Sequence, residues 1–202
     1  MELYRLFIAF ELPAPVRVAL AEAQSLLRRA NLPVRWSQPE QMHLTLQFLG
    51  DTDPAHIPAL AAAMGRAAGM SAPLSLRLAG LGAFPNPRRP SVVWAGVAGD
   101  LPALEGLVGA LAGELAGLGV ERERRPFRAH LTLGRARREA VPPELERIGA
   151  ALARLPGPTP VEWQAGQLVL FRSELAREGA HYTALAQAQL SGAIASDQMI
   201  GD

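Results

Sequence analysis

The sequence predicts a duplicated, bilobal fold of mixed strands and helices with a central cleft, and three observations carry that reading. The tetrapeptide His-Leu-Thr-Leu occurs twice, at His43-Leu44-Thr45-Leu46 and at His130-Leu131-Thr132-Leu133, using two of only four histidines. The apolar segments around the first copy recur in the same order around the second, 87 residues later (130 − 43 = 87), which is how an internal repeat announces itself. At 202 residues and 49% hydrophobic content, the chain can bury the core of one domain with two small lobes.

The first half begins with an apolar strand from Leu6 to Leu12. Leu12-Pro13-Ala14 follows, then a helix with Val16, Leu20, Ala23 and Leu27 at helical spacing. Next come the strand through His43 and an N-cap with first-turn proline at Asp53-Pro54. These open a helix with Ile57, Leu60, Ala61 and Met64 on one face. A strand from Leu74 to Phe84 closes this half. The second half runs through a strand from Val92 to Val97, Leu101-Pro102-Ala103, and a helix bearing Leu104, Leu107, Val108, Leu111 and Leu115. The strand through His130 follows, then a helix opened by Pro142-Pro143 with Leu145, Ile148 and Leu152, and a strand from Val161 to Phe171. The offset of 87 also carries Phe84 onto Phe171, so the halves align without gaps between the histidines and these phenylalanines. Pro85 to Pro90 reads as a turn-rich connection, and Ser173 to Gly179 as the turn into a last strand from Tyr182 to Leu190. Residues 1–190 are thus expected to form a single bilobal domain with one motif per lobe, and 191–202 a peripheral tail.

On a strand, side chains alternate between faces, so His43 and Thr45 point one way while Leu44, Leu46 and Phe48 point into apolar packing. His130 and Thr132 repeat the arrangement. Each copy presents an imidazole and a hydroxyl roughly 6.6 Å apart along one strand face, able to contact different oxygens of one phosphate. A lone histidine in an apolar strand is usually structural. Two in identical local sequence, at matching places of matching half-folds, are hard to explain as independent core choices. Two histidines could ligate zinc, but the motif strands carry no Asp, Glu or Cys on the histidine face for a third ligand. No Gly-x-Ser-x-Gly elbow supports a serine nucleophile. Phosphoryl chemistry fits better, because in-line attack on a phosphodiester needs one group to take a proton and another to give one, and histidine does either near neutrality. The threonines and a nearby arginine would hold the non-bridging oxygens. Arg128 shares strand parity with His130, which makes it the simplest candidate to reach the phosphate. Arg135 has the opposite parity and turns away unless the strand bulges before it.

Composition removes several alternatives. Cysteine is absent, so disulfides, thiol nucleophiles and thiolate-bound zinc are excluded. Lysine is absent too, and all 20 basic residues are arginine, which excludes Schiff-base chemistry, a P-loop lysine and a lysyl-nucleotide intermediate. The formal net charge is +1, yet seven arginines lie between Arg122 and Arg138, with Arg88 and Arg89 as a second pair. Such clustering suits an anionic ligand. No apolar run reaches membrane-span length, and the opening Met1-Glu2-Leu3-Tyr4-Arg5 lacks the pattern of a signal peptide. The expected protein is cytoplasmic, without membrane association, and monomeric.

The paired His-x-Thr motif resembles that of the two-histidine (2H) phosphoesterase superfamily. The flanking segments resemble the RNA 2′,3′-cyclic phosphodiesterase family within it: Arg5-Leu6-Phe7-Ile8-Ala9, Gln47-Phe48-Leu49-Gly50, Gly82 to Pro90, Val93-Trp94, Phe127 to Arg135, Leu170-Phe171-Arg172-Ser173 and Tyr182. The resemblance runs essentially full length. It implies an α+β fold class, bilobal and duplicated, with two antiparallel sheets, helices on their outer faces and a metal-independent site in the central cleft. It also implies hydrolysis of a terminal 2′,3′-cyclic phosphate on RNA to a 2′-phosphomonoester, with His43 as proton donor to the 3′ oxygen and His130 as the base that activates water. The sequence alone does not say which histidine takes which role, because the half-folds are alike. No cofactor is expected. The partner implied is RNA with a 2′,3′-cyclic phosphate end, tRNA fragments included, and the reverse joining through a 2′–5′ link is associated with the family. Thr45, Thr132, Arg128, Arg135 and Phe48 are the candidate substrate contacts, although strict alternation puts Phe48 on the core side. Trp36, Phe84 and Tyr182 are further candidates for stacking on a base. A small cyclic phosphate such as that of ADP-ribose, or nucleotide or RNA binding without catalysis, are the alternatives.

Overall fold

The structure, a computed structural model, describes residues 2–121, 123, 125–176 and 179–192. In chain order the elements are β1 (Tyr4–Glu11), α1 (Ala14–Arg29), β2 (Val34–Trp36), β3 (His43–Thr52), α2 (Ile57–Gly69), β4 (Leu74–Phe84), β5 (Val92–Gly99), α3 (Leu101–Ala116), β6 (His130–Ala136), α4 (Pro142–Arg154), β7 (Glu162–Ala165), β8 (Gln167–Ala176) and β9 (Gly179–Gln189). They build two antiparallel sheets, ordered β3-β1-β8-β9 and β2-β6-β5-β4-β7. The fold class is therefore α+β, as the sequence predicts. Arg122, Arg124, residues 177–178 of the expected turn and the tail from 193 onward lie outside the described residues. None of the described helices is long and apolar enough to cross a membrane.

Period-two alternation decides what each strand buries. On β1, Leu6, Ile8 and Phe10 enter an apolar cluster that draws residues from both sheets and from all the helices, including Leu20, Leu60, Leu107 and Ile148. The other face of β1 holds Phe7 and Ala9. With Val169 and Phe171 of β8 they form a second, smaller cluster, against which Tyr182 packs. The main core fastens the helices to the sheets, and the small cluster lies under the face that carries His43.

The structure departs from the expected strand from Val161 to Phe171. It is two strands in different sheets: β7 pairs with β4 and β8 with β1. The burial pattern gives the reason. Trp163 and Ala165 enter the main core, and then Leu168 and Leu170, while Val169 and Phe171 are buried in the smaller cluster; the residues facing the main core thus slip by one, which a straight strand cannot do. The break falls at Gly166. The aligned segment of β4 slips as well, between Leu78 and Leu81, but there a register irregularity absorbs it and the strand continues.

A second departure concerns the halves. Each sheet holds one histidine motif, but the lobes are not the sequence halves: β2 and β4 of the first half join the sheet of His130, while β8 and β9 join the sheet of His43. The exchange follows from the pairing of β4 with both β5 and β7.

The feature that matters most for the cleft is a matched pair of bulges. On β3 the register steps from Ala9↔Thr45 to Ile8↔Gln47, leaving Leu46 without its own partner. On β6 it steps from Trp94↔Thr132 to Val93↔Gly134, leaving Leu133 extra. A bulge inserts one residue and reverses the parity of everything after it. The last leucine of each motif is that residue. The β6 bulge is held from behind: the Leu133 carbonyl accepts from Ser37 N at 2.9 Å and from Nε2 of the buried Gln24 on α1 at 2.9 Å, and the same amide donates to Ser37 O at 2.8 Å.

Replacing Gln24 with leucine should remove both amide bonds while roughly keeping volume, destabilising the fold by about 1–2 kcal/mol. A lower urea midpoint with an unchanged slope would register this; an unchanged midpoint would show that the bulge does not depend on Gln24.

Candidate active site

His43 and His130 begin β3 and β6, the two strands that adjoin across the cleft. Both are held by the same local device. Nδ1 of His43 lies 2.8 Å from the carbonyl of Gln41, and Nδ1 of His130 lies 2.7 Å from the carbonyl of Arg128. A carbonyl only accepts, so Nδ1 must carry the proton, which leaves Nε2 of each ring as the atom free to exchange one. Neither Nε2 atom, nor the hydroxyl of Thr45 or Thr132, has a protein hydrogen-bond partner among the described residues. Two imidazole nitrogens and two hydroxyls, at matching places on two strands, are thus left without a protein partner among the described residues.

Aromatic rings fix the imidazole planes. Phe7 stacks on His43 at 4.7 Å and Tyr182 meets it edge-on at 5.1 Å. In the other lobe Phe84 meets His130 edge-on at 4.9 Å. Gln41 is anchored in turn, its Nε2 donating to the Ala180 carbonyl at 2.7 Å. The tether of His43 is thereby tied to β9.

Burial is the main influence on both imidazoles and pushes each below the usual histidine range. For His43, the Gln41 bond pulls partly back and the charge of His130 lowers it again. For His130, the Arg128 bond pulls back and the charge of Arg135 lowers it. The two imidazoles are close enough for protonation of one to disfavour protonation of the other. Burial raises the Tyr182 phenol, and Arg135 and Arg5 draw it down. Arg135 therefore acts on groups of both lobes.

That position corrects the alternation argument for Arg135. Strict parity turns it away from His130; the Leu133 bulge returns it to the histidine face. The same correction applies to Phe48, expected on the core side. After the Leu46 bulge it is 65% exposed and its ring lies 6.3 Å from Phe7, beneath His43. Phe48 and Arg135 are 87 residues apart, so one backbone device delivers an aromatic ring from one lobe and a guanidinium from the other. Arg128 enters through its carbonyl, and its side chain is exposed.

The remaining aromatic candidates separate. Phe84 and Tyr182 flank the histidines, whereas Trp36 packs against the core with Arg28 5.9 Å from its ring centre. His56 and His181 are exposed, as expected. Arg88 and Arg89 are also exposed, their amides donating to Asn86 Oδ1 at 3.0 and 3.1 Å. The sequence reading missed Phe7 and the carbonyls of Gln41 and Arg128. Phe7 could have been found as the residue of β1 that alternates away from Leu6 and Ile8; carbonyls leave no mark in side-chain identity. Among the described residues no group of three or more His, Asp or Glu side chains could hold a metal ion.

Comparison with known proteins gives the family of the fold. The family model for LigT-like phosphoesterases matches residues 10–94 and 99–182. The chain is 38% identical over 204 residues to the RNA 2′,3′-cyclic phosphodiesterase of Thermus thermophilus, covering 98% of this chain and 96% of that protein. It is 28% identical to the enzyme of the same name from Methanothermobacter thermautotrophicus, covering 89% and 95%. Among solved structures it is similar to E. coli LigT complexed with 3′-AMP, with a TM-score of 0.74 and 29% identity over 94% of this chain and 99% of that one.

Because both imidazoles are held below the ordinary value of about 6.5, the unfolded chain binds more protons than the folded one just below that pH. The histidine contribution to stability should be complete above about pH 6.5 and fall away as the pH drops below it. Urea midpoints across this range, compared between the native chain and the double variant His43→Gln/His130→Gln, should show a shallower acid-side slope in the variant. Equal slopes would remove the histidines as the cause.

Proposed function

The chain belongs to the LigT-like phosphoesterase family, and on that premise we propose that it hydrolyses terminal 2′,3′-cyclic phosphates on RNA to 2′-phosphomonoesters by metal-independent two-histidine acid–base catalysis. The observation that carries this reading is the matched tethering of His43 and His130. Each Nδ1 is committed to a carbonyl two residues earlier, and each Nε2 is left without a protein partner among the described residues. Such a pair can straddle one phosphorus atom.

In this reading Nε2 of His130 takes a proton from water as its oxygen attacks phosphorus. The bond from phosphorus to the 3′ oxygen breaks, and the Nε2 proton of His43 passes to that oxygen. The proton then returns from His130 to His43 through solvent. Arg135 supports the assignment of roles, since its charge favours a neutral His130 and a neutral imidazole is what a base must be. The phosphate anion offsets the burial that otherwise disfavours protonated His43. Thr45, Thr132 and Arg135 hold the non-bridging oxygens as charge builds on them, and Phe48 offers a face to the terminal base. Both histidines come from one chain, which supports action as a monomer. Ends of cleaved RNA, tRNA fragments among them, are the substrate class. The same groups run in reverse would join RNA ends through a 2′–5′ link, and the lysine-free sequence supplies no amine for a nucleotidyl intermediate.

An oligonucleotide ending in a 2′,3′-cyclic phosphate should be opened to the 2′-phosphate with EDTA present, at a rate that is bell-shaped in pH because one imidazole must be neutral and the other charged. His43→Ala and His130→Ala should each lower kcat by about 10²- to 10⁴-fold while remaining folded. Turnover abolished by EDTA, or unimpaired in either variant, would refute the mechanism.

A further inference from the structure

Arg35 on β2 stands directly opposite Arg135 on β6 in the antiparallel register. Directly opposed residues project from the same face, and like charges placed that way destabilise a sheet. Both are exposed, and neither has a carboxylate partner among the described residues. The register is not free to slip. Val34 beside Arg35 is buried, Trp36 packs against the core, and Arg137 N donates to the Pro33 carbonyl at 2.8 Å. Gly134 permits the close approach, since a Cβ there would lie 2.6 Å from Val34 Cγ1 and 2.8 Å from the Arg35 carbonyl. The fold therefore sets two arginines without an acidic partner among the described residues directly opposite each other across the β2–β6 pair. The bulge at Leu133 fixes the face: Arg135, and with it Arg35, emerges on the side of His130 and Thr132. β2 is the edge strand of its sheet, so a ligand reaching Arg135 from the cleft can continue past Arg35 without meeting a further strand.

We propose that Arg35, beside Arg135, forms a second phosphate subsite that binds the phosphodiester on the 5′ side of the terminal nucleotide. This makes the preferred substrate an RNA chain rather than a cyclic mononucleotide. The inference rests on the phosphodiesterase reading for the identity of the terminal group. An anion between the two arginines removes the like-charge repulsion that the register imposes, and a polymer supplies one a single nucleotide away from the reacting phosphorus.

Three substrates separate the possibilities: a nucleoside 2′,3′-cyclic phosphate, the same compound with a 5′-monophosphate, and a dinucleotide ending in the cyclic phosphate. Arg35→Gln should lower kcat/KM on the dinucleotide about tenfold, in line with the loss of one charged hydrogen bond. It should leave the unphosphorylated mononucleotide unchanged and reduce the salt dependence by about one phosphate contact. Arg35→Lys should recover part of the loss. An effect on the 5′-phosphorylated mononucleotide equal to that on the dinucleotide would show that the subsite reads phosphate as such, and would overturn the preference for a chain. Equal effects on all three substrates, or none, would overturn the subsite. Affinity is measured in parallel, by anisotropy of a fluorescent dinucleotide 2′-phosphate in competition with the nucleoside 2′-phosphate. If the native chain turned over none of the substrates, the phosphodiesterase reading would fall, and the subsite would still be decided by whether Arg35→Gln abolishes the preference for the dinucleotide.

Discussion

On both motif strands an extra residue follows directly after the threonine, Leu46 on β3 and Leu133 on β6, and the cleft is organised around that excess. Without the bulges at Leu46 and Leu133, alternation would send Phe48 and Arg135 toward the core sides of their sheets, where a guanidinium has no compensating charge and its burial is prohibitive. With them, each strand shows its histidine and threonine, then hides two consecutive residues, Leu46 and Gln47 in one lobe and Leu133 and Gly134 in the other, then returns a side chain to the cleft. The buried pairs are the structural signature of the extra residue. Gln24 reaching from α1 to the Leu133 carbonyl shows how the surrounding fold meets the hydrogen-bonding need that such an irregularity creates.

Burial is the main influence on both histidines and their tethers are alike, but their other neighbours differ between the lobes. His43 is sandwiched by Phe7 and Tyr182 on a small apolar cluster, so burial dominates its behaviour. His130 has Phe84 at its edge and the charge of Arg135 nearby. A duplicated fold begins with two equivalent imidazoles, yet proton transfer across a phosphate needs unequal ones. The inequality arises from what the matched bulges deliver: an aromatic ring after His43 and a cation after His130. Symmetry of the backbone and asymmetry of the side chains together give the two imidazoles unlike surroundings.

The exchange of strands between halves supplies rigidity across the cleft. Because β4 bridges β5 and β7, and because β8 and β9 return to the sheet of β1, neither lobe is built from one continuous stretch of chain. The main apolar cluster accordingly draws on both sheets at once. Such an arrangement holds the spacing of the two histidine-bearing strands more firmly than two lobes hinged on a linker would.

The order of the helices and of most strands, the repetition of the two motifs and the helix faces were legible in the residues, since each depends on local periodicity or on exact repetition; the short β2 and the division of the strand at Gly166 were not. The alternation of Leu6, Ile8 and Phe10 needs no partner to be read. What the residues could not reveal was decided by pairing at long range. The bulges exist only as a mismatch between β1 and β3 and between β5 and β6, so Phe48 and Arg135 were assigned the wrong faces by a rule that is correct for an unbroken ladder. The split of the strand at Gly166 and the meeting of Arg35 with Arg135 are register facts of the same kind. Sequence determined which chemistry this chain carries, because side-chain type and spacing are properties of the chain itself. The tertiary structure decided which of those side chains face one another, because register is a property of two strands and is written in neither alone.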